Sequence, residues 1–143
     1  MKVVDLNLLI YATNEDAPDH ENARRWWASC LDGIETIGLP WVVLFGFLRI
    51  TTNSRIMPKP LTHVQALELV DSWLIQEPVQ IISPSSRHWP IFRQIIMQFG
   101  AASNLTTDAH IAALAIERGG ILYSADNDFS RIPDLKWKNP LNL

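Results

Sequence analysis

Short apolar runs alternate along this chain with longer segments whose apolar residues recur at helical spacing. Lys2–Asp5 reads as a buried β-branched strand ending in an acid, and Leu6–Ala12 continues from it as a helix. Pro18-Asp19-His20 opens a second helix through about Leu31, on which Ala23, Trp26, Trp27 and Cys30 fall at helical spacing. A brief strand is expected at Thr36-Ile37. Pro40 suits a helix first turn, and Trp41–Thr52 continues as an apolar helix; Asn53–Pro60 is a loop. Thr62 is the expected N-cap of an amphipathic helix through Ile75 with Val64, Leu67, Val70 and Leu74 facing inward.

Val79–Ile82 is the next strand, and Ser85 or Ser86 is expected to cap a helix ending near Gly100. Asn104–Asp108 leads into a helix through Glu117, closed by Gly119-Gly120. Ile121–Ser124 is a further strand, Asp126-Asn127-Asp128 a turn, Phe129–Arg131 short and irregular, and Leu135–Trp137 a last edge strand. Strands alternating with helices predict an α/β fold with a mainly parallel sheet. No linker or internal repeat interrupts 1–143, so one domain is expected.

Composition narrows the class. Hydrophobic residues make up 48% of the 143 and charged residues 19%, which excludes a disordered chain. The net charge of −3 advertises no general affinity for nucleic acid, although a local basic groove is compatible with it. Six tryptophans exceed what a core of this size needs, so part of the surplus is expected in a protein interface. The single cysteine, Cys30, permits no internal disulfide and suits a reducing compartment. The amino terminus does not read as a secretory signal. The longest apolar stretch, Leu39–Leu48, is well short of the ~20 residues a membrane span requires, so a cytoplasmic location without a membrane is expected.

The candidate chemistry lies in the acids. In open α/β sheets, sites form beyond the carboxyl ends of strands and at helix amino termini. Asp5 follows the first strand, Asp108 stands in the first turn of a late helix, and Asp126 follows the strand Ile121–Ser124, with Asp128 two residues on. Singly, each has an ordinary use as a cap, a helix-dipole partner or an Asx turn. Jointly, parallel topology can bring them to one edge, where crowded carboxylates repel unless a hard cation such as Mg²⁺ or Mn²⁺ neutralises them.

Three segments carry a family resemblance: Asp5-Leu6-Asn7, Thr107-Asp108-Ala109-His110-Ile111-Ala112-Ala113-Leu114-Ala115, and Ser124-Ala125-Asp126-Asn127-Asp128-Phe129. Together with Phe47–Asn53 and the tail Phe129–Leu141, they resemble the PIN-domain ribonucleases, above all the VapC toxins of bacterial VapBC toxin–antitoxin systems. The resemblance implies a three-layer α/β/α domain that cleaves RNA with Mg²⁺ or Mn²⁺. Carried over, Asp5, Asp108 and Asp126 are the catalytic, metal-binding acids, Asp128 an additional or alternative ligand, and Asn7 and Ser124 supporting residues. It also implies a homodimer and a VapB-like antitoxin whose carboxyl-terminal segment fills the groove leading to the acids.

The pattern breaks at one place. The family carries a glutamate in the third helix just before Phe-Leu-Arg, where this chain has Gly46, and no acid occurs from Pro40 to Leu61. One reading is a lost catalytic acid, which would keep the fold and partners but weaken divalent binding and nuclease activity. The other is a close packing contact that only glycine permits. The first reading leaves room for a rival function, an inactive module that binds RNA or antitoxin through the same groove.

For the RNA, Arg49 and Arg55 stand nearest the third helix; Arg24, Arg25, Lys59, Arg87 and Arg93 are further candidates that ordinary ion pairing also explains. Adjacent Trp26 and Trp27 cannot easily both face the core, so one is expected at an interface. His110 is expected in a core or partner contact rather than as a general base. Phosphotransfer through an aspartyl nucleophile fits poorly. A haloacid-dehalogenase-like enzyme needs a second acid where Asn7 stands, and a receiver domain needs paired early acids and a late lysine other than Lys136 or Lys138 in the tail.

Overall fold

The computed structural model describes residues 1–142. Five strands, β1 (Lys2–Val4), β2 (Ile37–Pro40), β3 (Val79–Ile82), β4 (Ile121–Tyr123) and β5 (Trp137–Lys138), form one all-parallel sheet in the order β3-β2-β1-β4-β5. The helices are α1 (Leu6–Thr13), α2 (His20–Leu31), α3 (Trp41–Thr51), α4 (His63–Leu74), α5 (His88–Phe99) and α6 (Leu105–Glu117), followed by a 3₁₀ turn at Asn127–Arg131.

Parallel neighbours need a crossover long enough to return to the same edge, and the helices supply it. The main helix packing falls into two groups, α1–α4 and α5–α6, and all of β2 is buried, as are Val3, Val4 and Leu122. Helices thus cover both faces of the sheet, giving the three expected layers. Each fully buried Val, Leu or Ile contributes roughly 1.5–3 kcal/mol relative to exposure. On the α1–α4 side, Trp73 meets Trp27 and Phe47 edge-on at ring-centroid distances of 5.7 and 4.8 Å.

The topology places the site. The chain winds outward from β1 through β2 to β3, then crosses back to lay β4 and β5 on the other side of β1. The segments leaving β1 and β4 therefore diverge, opening a crevice at their carboxyl ends. Asp5 follows β1 and caps α1; Asp126 lies just after β4 and caps the 3₁₀ turn.

Four local expectations need correction. The strand expected at Thr36-Ile37 is β2, Ile37–Pro40. Its Gly38 obscured it, yet a Cβ there would lie 2.9 Å from Met1 Sδ and 3.1 Å from Ile82, so the Met1 and Ile82 side chains pack into the space this glycine leaves. Thr62 does cap α4, in a reciprocal capping box with Gln65, but the inward face is Ala66, Val70 and Trp73. Val64 and Leu67 are 52% and 46% exposed, because the helix is rotated to bury Trp73 in the aromatic cluster. Neither Ser85 nor Ser86 is the N-cap of α5; Arg87 holds that place without a side-chain cap bond, and Ser85 Oγ donates instead to Glu117. The edge strand is Trp137–Lys138, set by pairing with Leu122 and Tyr123.

Candidate active site

Asp5 is fixed from both sides. Its Oδ1 accepts from Leu6 N at 2.7 Å, and its Oδ2 accepts from Ser124 Oγ at 2.7 Å. Ser124 is fully buried, and its hydroxyl also accepts from Asn7 Nδ2 at 3.1 Å and from Asp126 N at 3.0 Å. Asn7 completes the clasp by accepting from Ala125 N at 3.2 Å. From the edge strand, Trp137 Nε1 donates to the Ser124 carbonyl at 3.1 Å. Asp126 Oδ1 accepts from Asp128 N at 2.9 Å, the Asx turn that a turn-forming acid predicts. The D-x-N and Ser-x-Asp segments, remote in sequence, are thus one hydrogen-bonded unit.

Asp5, Asn7, Asp108 and Asp126 line one open cleft of about 440 Å³, together with Tyr11 and Arg49. Asp108 is carried in by the first turn of α6 and half-buried. Its carboxyl is pushed up to about 6, first by desolvation and then by the negative charges of Asp5, Asp126 and Asp128. Burial also raises Asp5, with the Asp126 charge adding to it, although the hydrogen bonds from Ser124 and Leu6 favour its carboxylate. Among the described residues no three or more acidic, histidine or cysteine side chains stand close enough together to hold a metal ion. The donor set nevertheless fits a hard divalent cation: all oxygen, negatively charged and mutually repelling.

The other candidates divide. Arg49 lines the cleft; Arg55 does not, and its backbone N–H donates to Asn53 Oδ1 within the loop. Arg24 and Arg25 both pair with Glu21, at 2.6 and 3.1 Å, and Arg87 donates to the Glu117 carbonyl. His110 meets His88 at 2.9 Å, a contact between α6 and α5. Trp27 is buried, whereas Trp26 is half-buried against Tyr123, with the ring centroids 5.4 Å apart. Gly46 is buried against Leu6, and a Cβ there would stand 2.6 Å from Leu6 Cδ2. That atom is the end of a half-buried, flexible side chain, so a Cβ at 46 requires Leu6 to turn aside rather than the backbone to move.

Sequence reasoning overlooked Tyr11 and Asn104 as lining residues. Tyr11 was accessible, standing one helical turn after Asn7 on the same face of α1. Nothing in the local sequence marks Asn104, which the connection between α5 and α6 delivers to the cleft.

A crevice at a topological switch point, lined by aspartates from three separate segments, is where open α/β sheets bind their ligands. The PIN domain family model matches residues 2–135, and the chain belongs to that family. It is 41% identical over 141 residues to the ribonuclease VapC33 of Mycobacterium tuberculosis, covering 99% of both chains. It is 36% identical to the ribonuclease VapC37 of the same organism, over 98% of this chain and 97% of that one. Among solved structures, VapBC2 from Rickettsia felis bound to a promoter DNA fragment matches with a TM-score of 0.70 at 20% identity, over 96% of this chain and 97% of that chain. That last likeness concerns the fold alone.

Proposed function

We propose that this chain is a divalent-metal-dependent endoribonuclease, the toxin of a type II toxin–antitoxin pair. The observation that carries the reading is the convergence of Asp5, Asp108 and Asp126 on one cleft, where burial first and the neighbouring carboxylates second push the Asp108 carboxyl up to about 6. The ribonuclease names borne by relatives at 41% and 36% identity support RNA as the substrate.

Asp5, Asp108 and Asp126 would hold Mg²⁺ or Mn²⁺, with Asp128 adding to the same negative field. Such a cation supplies charge neutralisation at the scissile phosphate and lowers the pKa of the attacking water. The protein's own groups do the rest. Ser124 and Leu6 N–H fix both oxygens of Asp5, so that carboxylate enters the reaction already oriented. Asn7 holds the Asp126 segment in register with α1. The Asp108 carboxyl is pushed up to about 6 by burial and its acidic neighbours, and a cation in the cleft would favour its carboxylate form. Arg49 offers the cleft's edge a guanidinium for phosphate.

Gly46 leaves the site one acid short of the pattern the family resemblance implies, and on this reading divalent binding and turnover are attenuated. The contact with Leu6 supplies the competing account, that the small residue at 46 serves the packing of α3 against the Leu6 side chain. The expected partners are RNA, a VapB-like antitoxin and a second copy of the chain. The apolar set Trp41, Phe45, Val64 and Leu67, exposed on α3 and α4, supports a protein interface. No helix among the described residues is long and apolar enough to cross a membrane, and a cytoplasmic location is part of the proposal.

The test is cleavage of structured RNA in Mg²⁺ or Mn²⁺ with a chelator control. The parent chain is compared with Asp5→Asn, Asp108→Asn and Gly46→Glu, the last also combined with Leu6→Ala to open space for the new side chain. Chelator-sensitive cutting that falls at least about 100-fold in either Asn variant is expected. A rise in the Gly46→Glu/Leu6→Ala protein would identify position 46 as a missing acid; no rise would leave packing as its role. Cutting that persists in chelator or in Asp5→Asn would overturn the mechanism.

A further inference from the structure

On the far side of Asp108 lies a second cavity that the acid cluster does not use. It has a volume of about 300 Å³ and is bounded by α5, α6 and the 3₁₀ turn. Phe99, Leu105, Phe129 and Arg131 line it, with Asp108 and Asp128 on the same wall. Asp108 lines both this cavity and the cleft, so the two adjoin at that residue. Leu105 is 39% exposed despite being apolar, and it stands one turn before Asp108 on the same helix face. The Arg131 guanidinium lies 5.6 Å from the Phe99 ring centroid, a cation–π pair within the cavity lining.

The backbone maintains this shape. Gly100, which lines the cavity, has φ +90°, and Ser103 in the same connection has φ 57°. A Cβ on Gly100 would meet nothing nearer than Leu105 Cδ1 at 4.0 Å, so backbone conformation rather than space demands glycine. The α5–α6 connection thus turns sharply without placing a side chain in the opening.

We infer that this cavity takes one nucleobase of the RNA strand, adjacent to the phosphate held at the acids, and thereby sets cleavage preference; this rests on the ribonuclease reading above. A base stacking on the Arg131 guanidinium extends the stack that Arg131 already makes on Phe99, a usual way of holding single-stranded bases. The phosphate itself is disfavoured there by the Asp108 and Asp128 carboxylates. Among the described residues no hydrogen bond or ion pair engages the Asp128 carboxylate, which leaves an acceptor on the cavity wall. A carboxylate accepts from an amino edge, so a base with an exocyclic amino group is preferred over uracil.

Two measurements test this. The first is the relative kcat/KM for RNAs in which the base on either side of the cut is varied among the four, for the parent, Phe99→Ala and Arg131→Gln. Arg131 is exposed, so its variant keeps the fold if Phe99→Ala does not. The parent is expected to disfavour uracil at one flanking position, and Phe99→Ala to lose about tenfold or more on the preferred base and flatten the preference. The second is binding of the four homopolymeric octaribonucleotides to Asp5→Asn protein by fluorescence anisotropy in chelator, with and without Phe99→Ala. A parent with no base preference, or variants with an unchanged profile in both assays, would overturn the cavity assignment while leaving the nuclease reading intact. If nothing cuts but binding is base-selective and depends on Phe99, the nuclease reading fails and the cavity stands. If neither cutting nor selective binding occurs, both fall. Loss of antitoxin binding in Phe99→Ala with an unchanged base profile would assign the cavity to a peptide side chain and likewise overturn it.

Discussion

At the scale of single residues, the acid cluster leaves a thermodynamic signature that needs no RNA. Asp108 has a folded pKa of about 6 against an ordinary 3.8, so between those values the folded protein binds more protons than the unfolded chain. Without a cation, this group's contribution to stability is fully present below about 3.8 and is lost as pH rises through about 6. Mg²⁺ or Mn²⁺ is expected to restore it at neutral pH. Thermal melts in chelator should therefore show Asp108→Asn more stable than the parent at pH 7, and only the parent should gain Tm when the ion is added. Equal gains in both proteins would place the cation elsewhere. The aspartates themselves were legible in the sequence because each follows a strand or opens a helix. Ser124 was legible only as a companion of the family resemblance, since its three hydrogen bonds reach residues up to 119 positions away.

Elements were read best where a local device decides them. Asp5 caps α1 and Thr62 caps α4, both visible as a polar residue ahead of an apolar periodic run. They were read worst where tertiary contact decides. The rotation of α4 follows from Trp73 entering an aromatic cluster with Trp27 and Phe47, partners on two other helices. The strand β2 carries a glycine and a proline, poor strand formers, and exists because β1 and β3 pair with it from both sides. The capping box of α4 yields the prediction at this scale. Thr62→Ala removes the acceptor for Gln65 N–H, 3.1 Å away, and should cost about 1 kcal/mol in a denaturant titration. RNA cleavage should not change, because α4 contributes nothing to the lining of the acid cleft. A matching loss of cleavage would show that α4 is coupled to the site.

For the whole molecule, the alternation of strands and helices already dictated a parallel sheet, while the order β3-β2-β1-β4-β5 determines where it works. That order puts the ends of β1 and β4 side by side, which no local pattern announces. The outer surface carries the remaining surplus of apolar residues. Trp41 and Phe45 stack together on α3, ring centroids 5.8 Å apart, and Phe45 is 58% exposed. Phe45→Glu is expected to weaken self-association or capture of a VapB-like antitoxin helix, read by sedimentation with and without the antitoxin. If neither association changes, the interface lies on another face.

The clasp between Asn7 and Ser124 has a consequence for synthesis. Its two halves are separated by 117 residues, nearly the length of the chain. A ribosome emits Asp5 and Asn7 first, and they wait without a counterpart until β4 and the segment after it have been translated and have crossed back beside β1. Every truncated product that stops before Ser124 therefore lacks both the hydroxyl that orients Asp5 and the third acid. On the function proposed here, the growing polypeptide carries no cutting centre until that segment has been made and has folded back beside β1. Competence arrives only with the segment that follows β4.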